Sequence, residues 1–128
     1  MKVEKIVVNK SWGKEVWFDN NDLYCGKLLT INLDKWSSKG NFHYHVLKTE
    51  TFFVIEGLLT LDIANDRGEY NRVTLHVGDS FRVEPGVKHR FTCADGLVCK
   101  FIEVSTTHRD DDSYRCYWDY KEQKWIDV

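Results

Sequence analysis

The sequence predicts an all-β barrel or sandwich, and three observations carry the prediction. Apolar residues recur with a two-residue period, turn-forming clusters interrupt them at short and regular intervals, and aromatic residues make up 14% of the chain, with five Trp. Period-two alternation places one face of each strand toward a core, and bulky aromatics suit large buried faces.

The strands read in order as Glu15–Phe18, Lys27–Leu33, Gly40–His45, Thr51–Ile55, Leu58–Ile63, Arg72–His76, Ser80–Val83, His89–Cys93 and Val98–Val104. Turn chemistry separates them at Asp19-Asn20-Asn21-Asp22, Glu56-Gly57, Asp66-Arg67-Gly68, Gly78-Asp79, Pro85-Gly86 and Asp95-Gly96. Pro85, the only proline, precedes Gly86 as a type II turn requires, with φ fixed by the first residue and positive φ supplied by the second. This turn aims His89. Asp110-Asp111-Asp112 reads as a solvated acidic loop.

At 128 residues the chain is one domain's length, and it shows no repeat or linker. Net charge is -2, and Lys and Arg are interleaved with acids, which argues against nucleic acid and for a small-molecule partner. No run has the length of a signal peptide or a membrane span, so a cytoplasmic, membrane-free protein is expected. In that setting Cys25, Cys93, Cys99 and Cys116 are expected as reduced thiols, with Cys93 and Cys99 simply packed beside a turn.

His43 and His45 are two apart, so on a strand both imidazoles leave the same face. Glu50 follows after a bend, and His89 arrives just past the Pro85-Gly86 turn. A lone strand histidine is ordinarily a packed or surface residue. Three histidines and a glutamate converging in an apolar barrel are costly to bury unless paired or metal-bound, so one divalent transition ion is expected: Zn, Fe, Mn, Ni or Co.

Gly40, His43, His45, Glu50 and Gly57, followed by Gly78, Asp79, Pro85 and His89, resemble the paired motifs of the cupin superfamily. That resemblance implies a double-stranded β-helix, or jelly-roll, barrel over about residues 24–105, with an N-terminal strand and C-terminal tail packed outside it. Further segments are similar to the cupin domain of the bifunctional mannose-1-phosphate guanylyltransferase/mannose-6-phosphate isomerase proteins. These are Ser11-Trp12-Gly13, Pro85 through Arg90, Ile102-Glu103-Val104, and the Asp-Asp-x-x-Arg pattern at Asp111, Asp112 and Arg115. Where that family usually has Gln, this chain has His43. The three-histidine, one-glutamate set also resembles those of archaeal cupin phosphoglucose isomerases and many oxygenases.

The resemblance implies a metal-dependent isomerase or epimerase of a sugar or sugar phosphate. The ligand set leaves open a non-haem iron dioxygenase and a non-catalytic sugar-binding module. Glu103 is the candidate acid or base, with an ion-paired residue at the barrel end as its alternative role. Phe52 and Phe91 share parity with Glu50 and His89 and are expected to line the pocket. Lys27, Arg82, Lys100 and Arg115 are available cations for a phosphate, while Arg90 should face away from the metal. The five Trp read as core or subunit contacts. Edge strands left by an open barrel suggest a homodimer.

Overall fold

The computed structural model describes residues 1–32, 34–94 and 97–128. Leu33, the expected end of a strand, and the expected Asp95-Gly96 turn lie outside the described residues. Among the described residues twelve strands follow one another: β1 (Ile6–Lys10), β2 (Gly13–Asn20), β3 (Cys25–Ile31), β4 (Phe42–Tyr44), β5 (Glu50–Glu56), β6 (Leu59–Ala64), β7 (Tyr70–Leu75), β8 (Ser80–Val83), β9 (Lys88–Cys93), β10 (Cys99–Ser105), β11 (Tyr114–Asp119) and β12 (Lys124–Asp127). They form two six-stranded antiparallel sheets, ordered β1-β2-β3-β10-β5-β8 and β12-β11-β4-β9-β6-β7. Among the described residues no helix is long and apolar enough to cross a membrane.

Strand parity builds the core. Leu29 and Ile31 on β3, Phe52 and Val54 on β5, Leu59 and Leu61 on β6, Phe91 on β9 and Phe101 on β10 are all buried between the sheets. The Phe101 ring meets those of Phe52 and Phe91 edge-on, at centroid distances of 5.0 and 5.2 Å. The outer face of the second sheet is also covered. Asp62 there is fully buried, accepting charge-assisted hydrogen bonds from Arg72 and Arg90, and the Arg90 guanidinium lies over Trp36, Phe42 and Tyr70.

Four expectations change. The strand expected over Gly40–His45 shortens to Phe42–Tyr44, because Ser38 and Lys39 take positive φ within a 3-10 turn over Ser37–Gly40. The tail joins the second sheet, β11 pairing with β4 so that Arg115 lies opposite His43. Asp112 is buried rather than solvated. Cys93 and Cys99 are disulfide-bonded, not merely packed: both point inward from strands in opposite sheets, with Cα atoms 5.7 Å apart, while Cys25 and Cys116 remain free and buried.

Candidate metal centre

His43 projects inward from β4, His45 follows just beyond its end, Glu50 opens β5 and His89 stands near the start of β9. β4 and β9 are paired at one point, His43 opposite His89, which brings the two distant segments together. One ligand atom from each of the four residues lies within 4.8 Å of all the others. His45, Glu50 and His89 are buried, and His43 is half-buried at the cavity wall.

Hydrogen bonding decides which atoms are free. His89 Nδ1 donates to the Val87 carbonyl at 2.9 Å, and His45 Nδ1 donates to the Asp112 carbonyl at 2.7 Å. In the neutral imidazoles each Nε2 then carries a bare lone pair. His89 Nε2 stands 2.8 Å from Glu50 Oε1, yet neither atom has a hydrogen-bond partner in good alignment, and His43 Nδ1 is also orphaned. Two acceptors so close repel unless a proton or cation lies between them. The donor set therefore fits a divalent ion held by three nitrogens and one carboxylate oxygen.

The electrostatics agree. Burial first, and the neighbouring His89 second, hold His43 well below 6.5, while burial lowers His45 to about 4. Both are neutral, as metal ligation requires. Burial pushes the Glu50 carboxyl up, but a positive charge between it and His89, together with the Lys48 ammonium, overcomes this and holds the group below the usual carboxylate range, the same place a bound cation would take.

Three of the ligands, His43, His45 and Glu50, border a cavity of about 340 Å³ between the sheets. Phe52, Phe91, Leu29 and Trp12 form its apolar wall, and Glu15, Trp17, Lys27, Lys48, Glu103 and His108 its polar one. Lys48 Nζ lies 3.6 Å from Glu50 Oε2 and 3.3 Å from Glu103 Oε2. Lys27 lies 3.6 Å from Glu15 and 3.9 Å from Glu103, over the Trp17 ring. Both ammonium groups approach His108 Nδ1, at 3.1 Å for Lys27 and 3.3 Å for Lys48, so that nitrogen is an acceptor and Nε2 donates to Asp110. Glu103 is raised above its ordinary value by burial and then by the Glu50 charge, with Lys48 and Lys27 opposing.

Phe52, Phe91, Lys27 and Glu103 thus line the cavity, and Arg115 stands at its rim. Arg90 faces the opposite side of its sheet, held by Asp62. Arg82 and Lys100 do not reach the cavity. Arg82 is exposed beside Glu84, and Lys100 has the parity opposite to Phe101 and Glu103. Lys48, Glu15 and His108 line the cavity without having been expected as site residues. Lys48 shares parity with Glu50, which is a usable signal only once the strand is known to begin close by. His108 lies in an irregular segment with no period to read.

The sequence matches the family model described as "Cupin domain" over residues 30–105, more than half of the chain. The chain belongs to the cupin family. No curated protein matches it at the level of sequence. Among solved structures this cupin is similar to oxalate decarboxylase from Bacillus subtilis, with a TM-score of 0.74 and 12% identity, over 88% of this chain and 30% of that one. The Lactobacillus farciminis enzyme, solved as a formate complex, gives 0.71 and 15%, over 86% and 33%. KdgF from Halomonas sp. gives 0.64 and 17%, over 84% and 91%. The cupin therefore spans about a third of the decarboxylases and most of KdgF. A further B. subtilis oxalate decarboxylase structure is described in terms of Mn(II) centres, at a TM-score of 0.68 and 15% identity, over 80% of this chain and 28% of that one. At these identities the likeness shows the fold alone.

Proposed function

We propose that this cupin is a metal-dependent enzyme acting on a small carbohydrate, as an isomerase or epimerase of a sugar or sugar phosphate. The observation that carries the reading is a cluster of four metal-ligating residues, three of them with an unsatisfied ligand atom, beside a cavity whose polar wall includes the paired Lys27, Lys48, Glu15 and Glu103. At about 340 Å³ the space suits a molecule of monosaccharide size. The Ser11-Trp12-Gly13, Ile102-Glu103-Val104 and Asp111 to Arg115 segments, similar to those of the sugar-phosphate isomerase family, support the same class.

A divalent ion on His43, His45, Glu50 and His89 would polarise adjacent substrate oxygens and favour loss of a proton from carbon. The remaining work falls to this chain's side chains. Glu103, raised by burial, is suited to accept that proton and return it. Lys48, one ammonium between Glu50 and Glu103, holds both carboxylates in place and offers donors toward the cavity. Lys27 does the same between Glu15 and Glu103. Phe52 and Phe91 exclude water from one side. Lys10 and Arg115 at the rim are placed for a phosphate.

The test is a panel of aldoses, ketoses and their phosphates offered to protein reloaded with Mn, Fe, Zn, Co or Ni. Interconversion should appear in at least one metal form, vanish on chelation and drop on the order of a hundredfold or more in Glu103→Gln. Equal turnover by chelated protein would refute the reading. Oxygen uptake in the Fe form without sugar conversion would replace it with an oxygenase.

A further inference from the structure

Asp112 comes from the segment between β10 and β11, far along the chain from the metal ligands, and is 5% exposed. Its carboxylate is wrapped by three successive backbone amides: Oδ1 accepts from Val46 at 2.8 Å and Leu47 at 3.1 Å, and Oδ2 from Leu47 at 3.1 Å and Lys48 at 3.0 Å. These amides belong to the turn that joins ligand His45 to ligand Glu50. The same residue's carbonyl accepts the Nδ1 proton of His45 at 2.7 Å. From the other side, the Gly86 amide donates to the His45 carbonyl at 2.6 Å.

We propose that Asp112 is the positioning residue of the metal centre, its carboxylate setting the turn between His45 and Glu50 and its carbonyl holding His45 in the tautomer whose Nε2 faces the ligand cluster. The proposal rests on the metal reading but not on any reaction. A concave run of amides around an anion is a stable and directional arrangement, since each N–H points at the charge. It fixes three consecutive residues at once. With Val46, Leu47 and Lys48 held, the spacing from His45 to Glu50 is set, and Lys48 is aimed at Glu50 and Glu103. The carbonyl and carboxylate act together because both belong to one residue: releasing the side chain frees the backbone that orients His45. Metal-ligating histidines are commonly held in this way through their second nitrogen.

Two readouts test it, neither of them turnover. In metal-free protein, nitrogen-15 NMR of the His45 ring should report the Nδ1–H tautomer for the wild type and a mixture for Asp112→Ala. In titrations with Co(II), followed by visible absorption, Asp112→Ala should bind about 10–100-fold more weakly, with an altered spectrum. Asp112→Asn keeps one carbonyl oxygen for the amides and should recover part of the loss. Exposed Asp111→Ala should match the wild type in both readouts. Should Asp112→Ala not fold, Asp112→Asn carries the test through its smaller shift in the same two measurements. Wild-type tautomer and Co(II) affinity in the variants, or lowered thermal stability with both unchanged, would overturn the proposal. Failure to turn over any sugar would remove the proposed reaction and leave this inference standing.

Discussion

The 2.8 Å approach of His89 Nε2 to Glu50 Oε1 shows how much of this site depends on single atoms. Its ligands were legible because His43-x-His45 and the later His89 can be counted along strands. Their tautomers were not, since those depend on Asp112 and Val87 carbonyls brought up by other parts of the fold. Buried neutral imidazoles have a consequence for stability. His43 and His45 have folded pKa values below 6.5, that of His45 at about 4, so in that window the unfolded chain binds more protons than the folded one. Their contribution is fully present above about 6.5 and lost as pH falls through about 4. Glu50, also lowered, acts in the same direction at more acidic pH, and Glu103, raised, acts in the opposite one. His108, Asp62 and Asp112, all lowered, add to the loss, which Glu103 opposes only in part. Calorimetry of the metal-free protein should show Tm declining from pH 7 to pH 4, and a flat profile would mean that the imidazoles are not held neutral.

Among the elements, strands with strict alternation and chemically marked turns were read within a residue or two. Ser80–Val83 matches the sequence expectation, and Thr51–Ile55 extends by one residue at each end. The tail strands Tyr114–Asp119 and Lys124–Asp127 were not read as strands, because their aromatic and charged residues alternate weakly and their burial comes from β4 rather than from the barrel core. Turn glycines carry a sharper expectation. Gly57 has φ +75°, and a Cβ there would stand 2.6 Å from the Val98 carbonyl oxygen and 2.9 Å from Cys99 Cβ. Left-handed backbone alone costs a residue with a side chain about 1–2 kcal/mol, and the contact with backbone adds to it. Gly57→Ala should therefore lower unfolding free energy by at least about 1–2 kcal/mol in urea titration. An unchanged midpoint would show that the β5–β6 turn relaxes freely.

Over the whole molecule, the two sheets differ in what covers their outer faces. Arg72, Arg90 and a layer of aromatic rings cover the second sheet. Across the first, a row of apolar side chains runs through paired positions Val7, Val16, Leu28, Ile102 and Phe53. Val7, Phe53, Ile55, Phe18 and Val104 are more than 40% exposed or close to it. Contiguous apolar faces are commonly used for association between proteins. We expect a homodimer packed through this sheet face rather than through strand edges, with the cavity left open on the other side of the sheet. Light scattering should find twice 15.1 kDa for the wild type and a monomer for Phe53→Lys/Val104→Lys, with metal binding retained. A wild-type monomer would remove the idea.

By itself the sequence determined an all-β chain, the inward parity of its principal strands and four candidate ligands, because alternation and turn chemistry are local properties of the backbone. The three-dimensional fold decided the rest: the Lys48, Lys27, Glu103 and His108 network, the burial of Asp112 and the bond between Cys93 and Cys99. Each of these depends on which strands lie opposite one another across the core. That pairing is set by burial summed over both sheets, and no short stretch of residues encodes it.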